Sequence, residues 1–313
     1  MVLNPQRCPN IKIKKSKKSL SCNEFKCLVN VLVLWHLDPP QAALYILCSW
    51  VPSYSNQHSM ENITAVSQGT YGKVSKAILD GKPVAIKQIP LNKYAKTFEN
   101  ECYFGFQTRN FEHTVKVLKT YIQGDNGYII MDLCQYDIYK LIKDTKLCEK
   151  RVAFLFYRIC MAIKELHDAF IAHLDIKLEN ILLGDNLQFK ICDFGSAVTF
   201  EGNRRIDLTR NAGTPHYVAP ELEHKKNILP ASADIWSLGI LLHVLLIRNF
   251  PVRYQSIYIS PSNLTFAYTE GLSKKAQHLL KSMLNFDPVK RPTIDEVLAH
   301  PWLGVGQRKS AFW

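Results

Sequence analysis

Two kinds of hydrophobic spacing follow one another along the chain. Up to about residue 135, apolar residues form short runs rich in β-branched side chains, which is typical of strands, with room for one helix. Between Lys150 and Phe170 the spacing changes, and apolar residues recur every three or four positions: Val152, Leu155, Ile159, Ile163 and Leu166. Ile235–Leu246 is almost wholly apolar, as a buried helix would be. The pattern predicts an α+β fold whose first part is mainly strands and whose second is mainly helices.

A polar motif interrupts the helical half. Residues His173–Asn180 read HLDIKLEN, and Asp193-Phe194-Gly195 begins thirteen positions after Asn180. At this spacing Asp175 could accept a hydroxyl proton, and Lys177 could neutralise charge on a moving phosphate. Asn180 and Asp193 could hold magnesium against a nucleotide. The alternative is a polar turn followed by a strand and a chance Asp-Phe-Gly, and the order and spacing of the two motifs argue against it.

The strand-rich half offers complementary features. Ser67–Val74 lies between two apolar runs and predicts a hairpin tip at which Gly69 and Gly72 let the backbone approach a triphosphate. Pro83–Lys87 is a short β-branched strand that ends in a cation. That cation needs an acidic partner on the next helix, and Phe98–Glu101 offers two, Glu99 and Glu101.

These motifs resemble the serine/threonine protein kinase family over about residues 61–302. The resemblance also rests on Gly213–Glu221 (GTPHYVAPE), Asp234–Gly239 (DIWSLG) and Asp287–Pro292 (DPVKRP). The closing Ala299–Trp302 is similar to that of calmodulin-dependent-type kinases. An enzyme that phosphorylates small molecules is disfavoured because such enzymes generally lack the Ala-Pro-Glu segment.

The resemblance implies a two-lobed kinase fold with ATP and Mg²⁺ between the lobes and with serine or threonine hydroxyls of proteins as acceptors. It implies a catalytic role for Asp175, Lys177 and Asn180, and magnesium binding by Asn180 and Asp193. It implies nucleotide contacts for a longer set: Gly69, Gly72, Val74, Ala85, Lys87, Glu101, Met131, Asp132, Leu133, Cys134 and Asp193. Within this set Glu101 would pair with Lys87, with Glu99 as the second choice. Met131 would guard the back of the adenine pocket, and the backbone of residues 132–134 would bind the adenine edge.

Other roles implied by the resemblance are structural or concern the substrate. Arg291 would pair with Glu221, and Asp234 would cap the backbone of the catalytic loop. Glu179 and Asp137 stand where related kinases carry acids that meet basic residues of the substrate.

Two departures from the family pattern affect the expected mechanism. Ser67 stands where the first glycine of the hairpin is expected. Leu174 stands where regulated kinases carry an arginine that receives an activation-loop phosphate. We therefore expect activity without phosphorylation of the loop 196–215, in which Thr209 is the obvious acceptor. The same departures leave open a pseudokinase that binds nucleotide as a scaffold, although Lys87, Asp175, Asn180 and Asp193 are all present.

Composition fits a globular protein and excludes several other classes. The 313 residues are 47% hydrophobic and 21% charged, and nine cysteines without paired spacing favour a reducing compartment over disulfides or a zinc site. The net charge of +12 arises in part from a lysine cluster at residues 12–18, most simply a solvated tail. No motif for specific nucleic-acid binding is visible. We expect a cytoplasmic protein, with a nuclear location as the alternative, and the sequence does not indicate an oligomeric state.

Residues 1–60 form an extension of uncertain structure, 61–302 the catalytic domain, and 303–313 a short tail. In the extension, Leu28–Leu37 and Ala42–Val51 are apolar but separated by Asp38-Pro39-Pro40, and each run is too short to span a bilayer. Packing on the small lobe, or no stable fold, is favoured over contact with a membrane.

Overall fold

A computed structural model describes residues 60–305, except residues 70, 135, 144–145, 185–187 and 252–268. The expectations for the N-terminal extension and for most of the C-terminal tail therefore lie outside the described residues. All the residues expected to carry chemistry lie within them.

The first lobe is a five-stranded antiparallel sheet in the order β1-β2-β3-β5-β4. Its strands are β1 (Met60–Gln68), β2 (Lys73–Leu79), β3 (Lys82–Pro90), β4 (Val117–Gln123) and β5 (Asn126–Asp132). The helix α1 (Leu91–Gln107) follows β3 and packs Phe98 and Cys102 against Ile89 and Ile129 of the sheet. The predicted strand-rich lobe with one helix is confirmed.

The second lobe is mainly helical. Its described helices are α2 (Ile138–Ile142), α3 (Glu149–Asp168), α4 (Pro230–Ile247), α5 (Lys274–Met283) and α6 (Ile294–Ala299). Five short strands lie between them: β6 (Tyr136–Asp137), β7 (Ile171–Ala172), β8 (Ile181–Leu183), β9 (Phe189–Ile191) and β10 (Val198–Thr199). β6, β8 and β9 form one small sheet and β7 pairs with β10, so that both the His173–Asn180 and Asp193–Gly195 segments are bounded by strands. The predicted two-lobed architecture is confirmed.

Helix α4 runs through the core of the large lobe. Trp236 on this helix is fully buried, and its ring contacts Phe286 and the guanidinium of Arg291. By length and composition α4 could cross a membrane, but 72% of it is buried inside the protein, which accounts for its apolar sequence. The helix begins at Pro230, earlier than the apolar run starts, because proline fits the first helical turn, where its missing N–H has no partner to lose.

Candidate active site

Hydrogen bonds to the carboxylate of Asp234 hold the backbone of the loop that carries Asp175. The backbone N–H groups of His173 and Leu174 each donate to the Asp234 carboxylate at 2.8 Å, and Nε2 of His167 lies 3.0 Å from the same carboxylate. Asp234 is fully buried. A buried carboxylate that accepts this many hydrogen bonds fixes the loop backbone, which agrees with the predicted capping role. Asp234 lies one turn inside α4 and not at its first residue.

His173 links the two polar motifs. Its Nε2 lies 3.0 Å from the carbonyl oxygen of Cys192, the residue before Asp193. Nε2 therefore carries the proton, and Nδ1 accepts the Asp175 N–H at 3.2 Å. The His173 ring also contacts Phe194, with centroids 5.3 Å apart. One side chain thus sets the spacing between the Asp175 loop and the Asp-Phe-Gly segment.

Asp175 is held by three side chains, through its carboxylate and its backbone carbonyl oxygen. Lys177 Nζ donates to Oδ2 at 3.0 Å, Thr214 Oγ1 donates to Oδ1 at 2.6 Å, and Asn180 Nδ2 donates to the Asp175 carbonyl oxygen at 2.9 Å. Lys177 Nζ also donates to Thr214 Oγ1 at 2.7 Å. Because each carboxylate oxygen has two lone pairs, Asp175 retains capacity to accept a substrate hydroxyl. Thr214, known from the sequence only as a feature of the kinase class, is a direct partner of Asp175.

On the small-lobe side of the cleft, Lys87 joins the two lobes. Its Nζ lies 2.6 Å from Glu101 Oε1 on α1 and 3.1 Å from Asp193 Oδ1. The expected ion pair with Glu101 is present, whereas the alternative Glu99 pairs with Lys96 on the exposed side of α1. The strand β3, the helix α1 and the Asp-Phe-Gly segment therefore meet at one ammonium group.

Two carboxyl groups share this one cation, but their pKa values are shifted in opposite directions. Burial raises the pKa of Glu101, an effect that Lys87 opposes. Burial would also raise the pKa of the more exposed Asp193, but the charge and hydrogen bond of Lys87 outweigh it and hold that pKa below its usual range. Burial would lower the pKa of Lys87, yet Asp193 and Glu101 together raise it. Lys87 therefore stays cationic and Asp193 stays anionic at neutral pH.

The hairpin tip is closed by the Gly69 N–H, which donates to the Gly72 carbonyl oxygen at 2.8 Å. A Cβ at Gly72 would lie 2.0 Å from the carbonyl oxygen of Gln88 on β3, so no other residue fits there. A Cβ at Gly69 would meet only the Gly72 oxygen, at 3.5 Å, which is an ordinary contact. The requirement at Gly72 therefore comes from packing against β3, and the expected phosphate contacts of both glycines stay predictions.

An open cavity of about 470 Å³ lies between the sheet and the segment that joins the lobes. Leu133 and Cys134 line it, as the resemblance implies, together with residues that the sequence did not single out: Thr64, Ala65, Val66, Lys76 and Tyr136. Val66 immediately precedes Ser67 at the end of an apolar run, and this position could have identified it from the sequence as a residue that lines the cavity.

Other expected adenine contacts lie on neighbouring strands. Ala85 on β3 pairs in register with Met131 on β5, and Val74 on β2 pairs with Lys87. The Asp132 N–H already donates to the Lys116 carbonyl oxygen at 3.0 Å, which leaves the Asp132 carbonyl as the group through which this residue could bind adenine. The expected contacts of the hinge backbone with adenine stay predictions.

Asn180 and Asp193 fit the requirements of a magnesium ion. The amide nitrogen of Asn180 is fixed on the Asp175 carbonyl, which directs its oxygen away from the loop backbone. Asp193 supplies a carboxylate, and amide and carboxylate oxygens are ligands that Mg²⁺ prefers. Among the described residues, no group of three or more His, Cys, Asp or Glu side chains could hold a metal by itself. A magnesium ion would therefore depend on phosphate oxygens of a nucleotide as well.

Leu174 is buried in the large-lobe core, with 1% of its surface exposed.

Two arginines of the loop 196–215 have partners close by. Arg204 pairs with Glu201 at 2.9 Å, and Arg205 donates to the Asn227 carbonyl oxygen at 2.9 Å. Arg210 is half-buried, and burial lowers its pKa against the opposing influence of Tyr71 and Glu101.

The segment that closes this loop is clamped to the large lobe. Arg291 donates to both carboxylate oxygens of Glu221, at 2.6 and 2.8 Å, and its side chain is fully buried. The expected pair is present in a bidentate geometry, which positions a planar guanidinium better than a single contact would.

The two acids considered for substrate recognition differ. Asp137 caps α2 by accepting the Lys140 N–H at 2.6 Å and pairs with Lys140 Nζ at 2.8 Å. Glu179 is exposed beside Asn180. Glu179 is thus the better placed of the two to meet a basic substrate residue.

Cys192 is a poor candidate for a reactive thiol. Burial first, and then the charge of Asp193, raise its pKa well above the usual range. Because the thiolate is the reactive form, a thiol reagent in the cleft should favour Cys134, which lines the open cavity.

Comparison with known proteins agrees with this geometry. A family model described as the protein kinase domain matches residues 60–303. The chain is 31% identical over 238 residues to a maize (Zea mays) protein named probable serine/threonine-protein kinase CCRP1, covering 73% of this chain and 37% of that one. It is 31% identical over 248 residues to serine/threonine-protein kinase ppk16 of Schizosaccharomyces pombe, covering 76% and 36%. It is 29% identical over 255 residues to the carbon catabolite-derepressing protein kinase of Candida glabrata, covering 78% and 41%. The chain spans well under half the length of these relatives.

Proposed function

The chain belongs to the protein kinase domain family, and on that premise we propose that it is an active serine/threonine protein kinase that transfers the γ-phosphate of ATP to hydroxyl groups of proteins. The observation that carries the proposal is the Asp175 carboxylate, held by Lys177 and Thr214, in a cleft where Lys87 joins Glu101 to Asp193. These contacts bring the charged residues of both lobes together in one cleft.

Asp175 orients the acceptor hydroxyl and takes its proton as the oxygen bonds to the γ-phosphorus of ATP. The bond from this phosphorus to the β-phosphate oxygen breaks in the same step, and ADP leaves. Lys177 offsets negative charge on the transferred group from a distance fixed by its hydrogen bonds to Asp175 and Thr214. Lys87 grips the α- and β-phosphates while Glu101 holds its ammonium in place. Magnesium, when bound by Asn180 and Asp193, would neutralise phosphate charge. Positioning and charge stabilisation supply most of the rate enhancement in this chemistry.

The test is transfer of labelled γ-phosphate from Mg·ATP to a mixed serine and threonine peptide library. Asp175→Asn should lower kcat by about 100-fold or more, because general-base contributions commonly reach this size. Asp125→Asn, in the exposed turn between β4 and β5, is the matched control and should leave transfer unchanged. If the folded parent binds ATP but transfers no phosphate, the pseudokinase scaffold replaces the kinase, and Ser67 and Leu174 become the residues to revert.

We further propose that this activity does not require phosphorylation of the loop 196–215. Leu174, which replaces the arginine that usually receives the phosphate, is uncharged and buried, and Arg204 and Arg205 already have partners. Arg210, the third arginine of the loop, is half-buried near Tyr71 and Glu101. The contacts of Lys87 with Glu101 and Asp193 support the same proposal, because none of them involves a residue of the loop 196–215.

Thr209→Ala should therefore keep kcat within about twofold of the parent, since no hydrogen bond or charge of the site passes through Thr209 in this proposal. Both proteins are compared after mass spectrometry has established that neither carries phosphate. A folded Thr209→Ala variant with abolished turnover, or a parent that gains activity only after loop phosphorylation, would contradict the proposal.

A further inference from the structure

Asn100, the neighbour of Glu101 on α1, directs its side chain at the backbone that follows Asp193. Its Nδ2 donates to the carbonyl oxygen of Ala197 at 2.7 Å and lies 3.3 and 3.4 Å from the carbonyl oxygens of Gly195 and Phe194. All three partners are acceptors, so the group that faces them has to be a donor. An amide satisfies this requirement without bringing a charge into a half-buried contact.

The contact belongs to a continuous face of α1. Thr97, Asn100 and Glu101 are three and four positions apart, which places them on one side of the helix. A Cβ added to Gly195 would lie 2.7 Å from Thr97 Cγ2 and 3.3 Å from Glu101 Oε1, so this face packs directly on the Gly195 backbone. Asn100 supplies the hydrogen bond on the same face.

The face of α1 that packs on residues 194–197 also carries one of the two carboxylates that Lys87 contacts. Lys87 Nζ lies 2.6 Å from Glu101 on α1 and 3.1 Å from Asp193, which directly precedes residues 194–197. A shift of α1 away from these residues would therefore separate the two carboxylates that meet at Lys87.

We propose that Asn100 is a positioning residue for phosphoryl transfer: its amide fastens α1 to the backbone of residues 194–197 and so keeps Lys87, Glu101 and Asp193 aligned in the unphosphorylated protein. This inference rests on the proposed kinase function for its kinetic readout. The contact of Asn100 with the backbone of residues 194–197 is a property of the fold, and its effect can be measured without catalysis.

The principal variant is Asn100→Asp. It keeps the shape of the side chain but replaces the amide donor that faces three carbonyl oxygens with a carboxylate, which can only accept hydrogen bonds. Asn100→Ala removes the contact without adding charge. Asn92→Asp is the matched control, because Asn92 is exposed on the same helix and undergoes the same chemical change. Each protein is measured for kcat per folded molecule, for its dissociation constants for Mg·ATP and for adenosine, and for amide hydrogen exchange over residues 193–199.

We expect kcat to fall at least tenfold in Asn100→Asp and to fall less in Asn100→Ala. Binding of Mg·ATP should weaken because Lys87 and Asp193 lose their alignment, whereas adenosine, which has no phosphates, should bind as it does to the parent. Hydrogen exchange should accelerate at residues 193–199 in both variants. Asn92→Asp should match the parent in every measurement. If Asn100 served general stability alone, its variants would lower the folded fraction, but the folded molecules would bind Mg·ATP and adenosine as the parent does.

The proposal is wrong if both Asn100 variants match Asn92→Asp in kcat per folded molecule and in exchange at residues 193–199. If the parent transfers no phosphate, the proposed function fails separately, and hydrogen exchange together with the two dissociation constants decides the role of Asn100 without reference to turnover.

Discussion

At the scale of single residues, the cleft depends on which charges meet at Lys87. This ammonium is the cation that Glu101 and Asp193 share, and its side chain is only 10% exposed. A buried carboxyl group that loses its cation takes up a proton more readily, because burial disfavours the charged form. Residue 87 therefore affects the protonation of Glu101 and Asp193 as well as the binding of phosphate.

Lys87→Met should lower kcat/KM by about 100-fold, since it removes a charge directed at the phosphates and leaves Glu101 and Asp193 without their shared partner. Lys82→Met, an exposed position on the same strand, is the control and should behave as the parent. The measurement is steady-state phosphotransfer on protein whose fold has been checked by circular dichroism. Equal activities of the two variants would remove Lys87 from the proposed site.

At the scale of elements, the ends of helices are fixed by specific side chains. Glu149, the first residue of α3, accepts the Ser273 N–H at 3.0 Å and the Trp302 Nε1–H at 2.8 Å, and it also accepts the Ser273 hydroxyl. It thus connects α3 to the start of α5 and to the residues after α6. Burial tends to raise the pKa of Glu149, but the hydrogen bonds from Ser273 and Trp302 outweigh burial and lower it.

A carboxyl whose folded-state pKa is lowered stabilises the fold above its unfolded pKa, ordinarily 4.5, and loses that contribution as the pH falls through the folded value. Glu149→Gln should therefore lower the free energy of unfolding by about 1 kcal/mol at neutral pH, a typical contribution for such hydrogen bonds. The deficit should begin to shrink below about pH 4.5, where the unfolded chain takes up a proton, and should disappear below the lower folded-state pKa, where the folded parent is protonated as well.

Urea unfolding from pH 3 to pH 7 measures this difference, and the exposed Glu223→Gln is the control. A deficit that stayed constant over the whole pH range would mean that the charge of Glu149 contributes nothing to these contacts.

At the scale of the whole molecule, two lobes of different architecture close on one cleft. The large lobe has one continuous core around α4, whereas the small lobe has two minor clusters on either side of its sheet. The buried pair of Arg291 with Glu221 fixes the end of the activation segment to the large core. Residues from distant parts of the sequence can therefore keep stable positions at the interface of the lobes.

The sequence alone determined the architecture and the main chemical groups. Strand and helix periods are local properties, so the two lobes could be predicted, and the spacing from Asp175 to Asp193 follows from one loop and two short strands. The choice of Glu101 over Glu99 came from the resemblance to the kinase family, and the ion pair of Glu101 with Lys87 agrees with it.

Only the tertiary structure decided the contacts that join segments far apart in the chain. Thr214 reaches Asp175, Asn100 reaches Ala197, and Val66 reaches the hinge cavity because packing of the lobes brings separate elements together. Gly72 is required by the approach of β3, a distance that no property of the hairpin sequence encodes. The residue types and their order specify the groups available for catalysis, whereas the relative placement of those groups results from burial and hydrogen bonding summed over the whole fold.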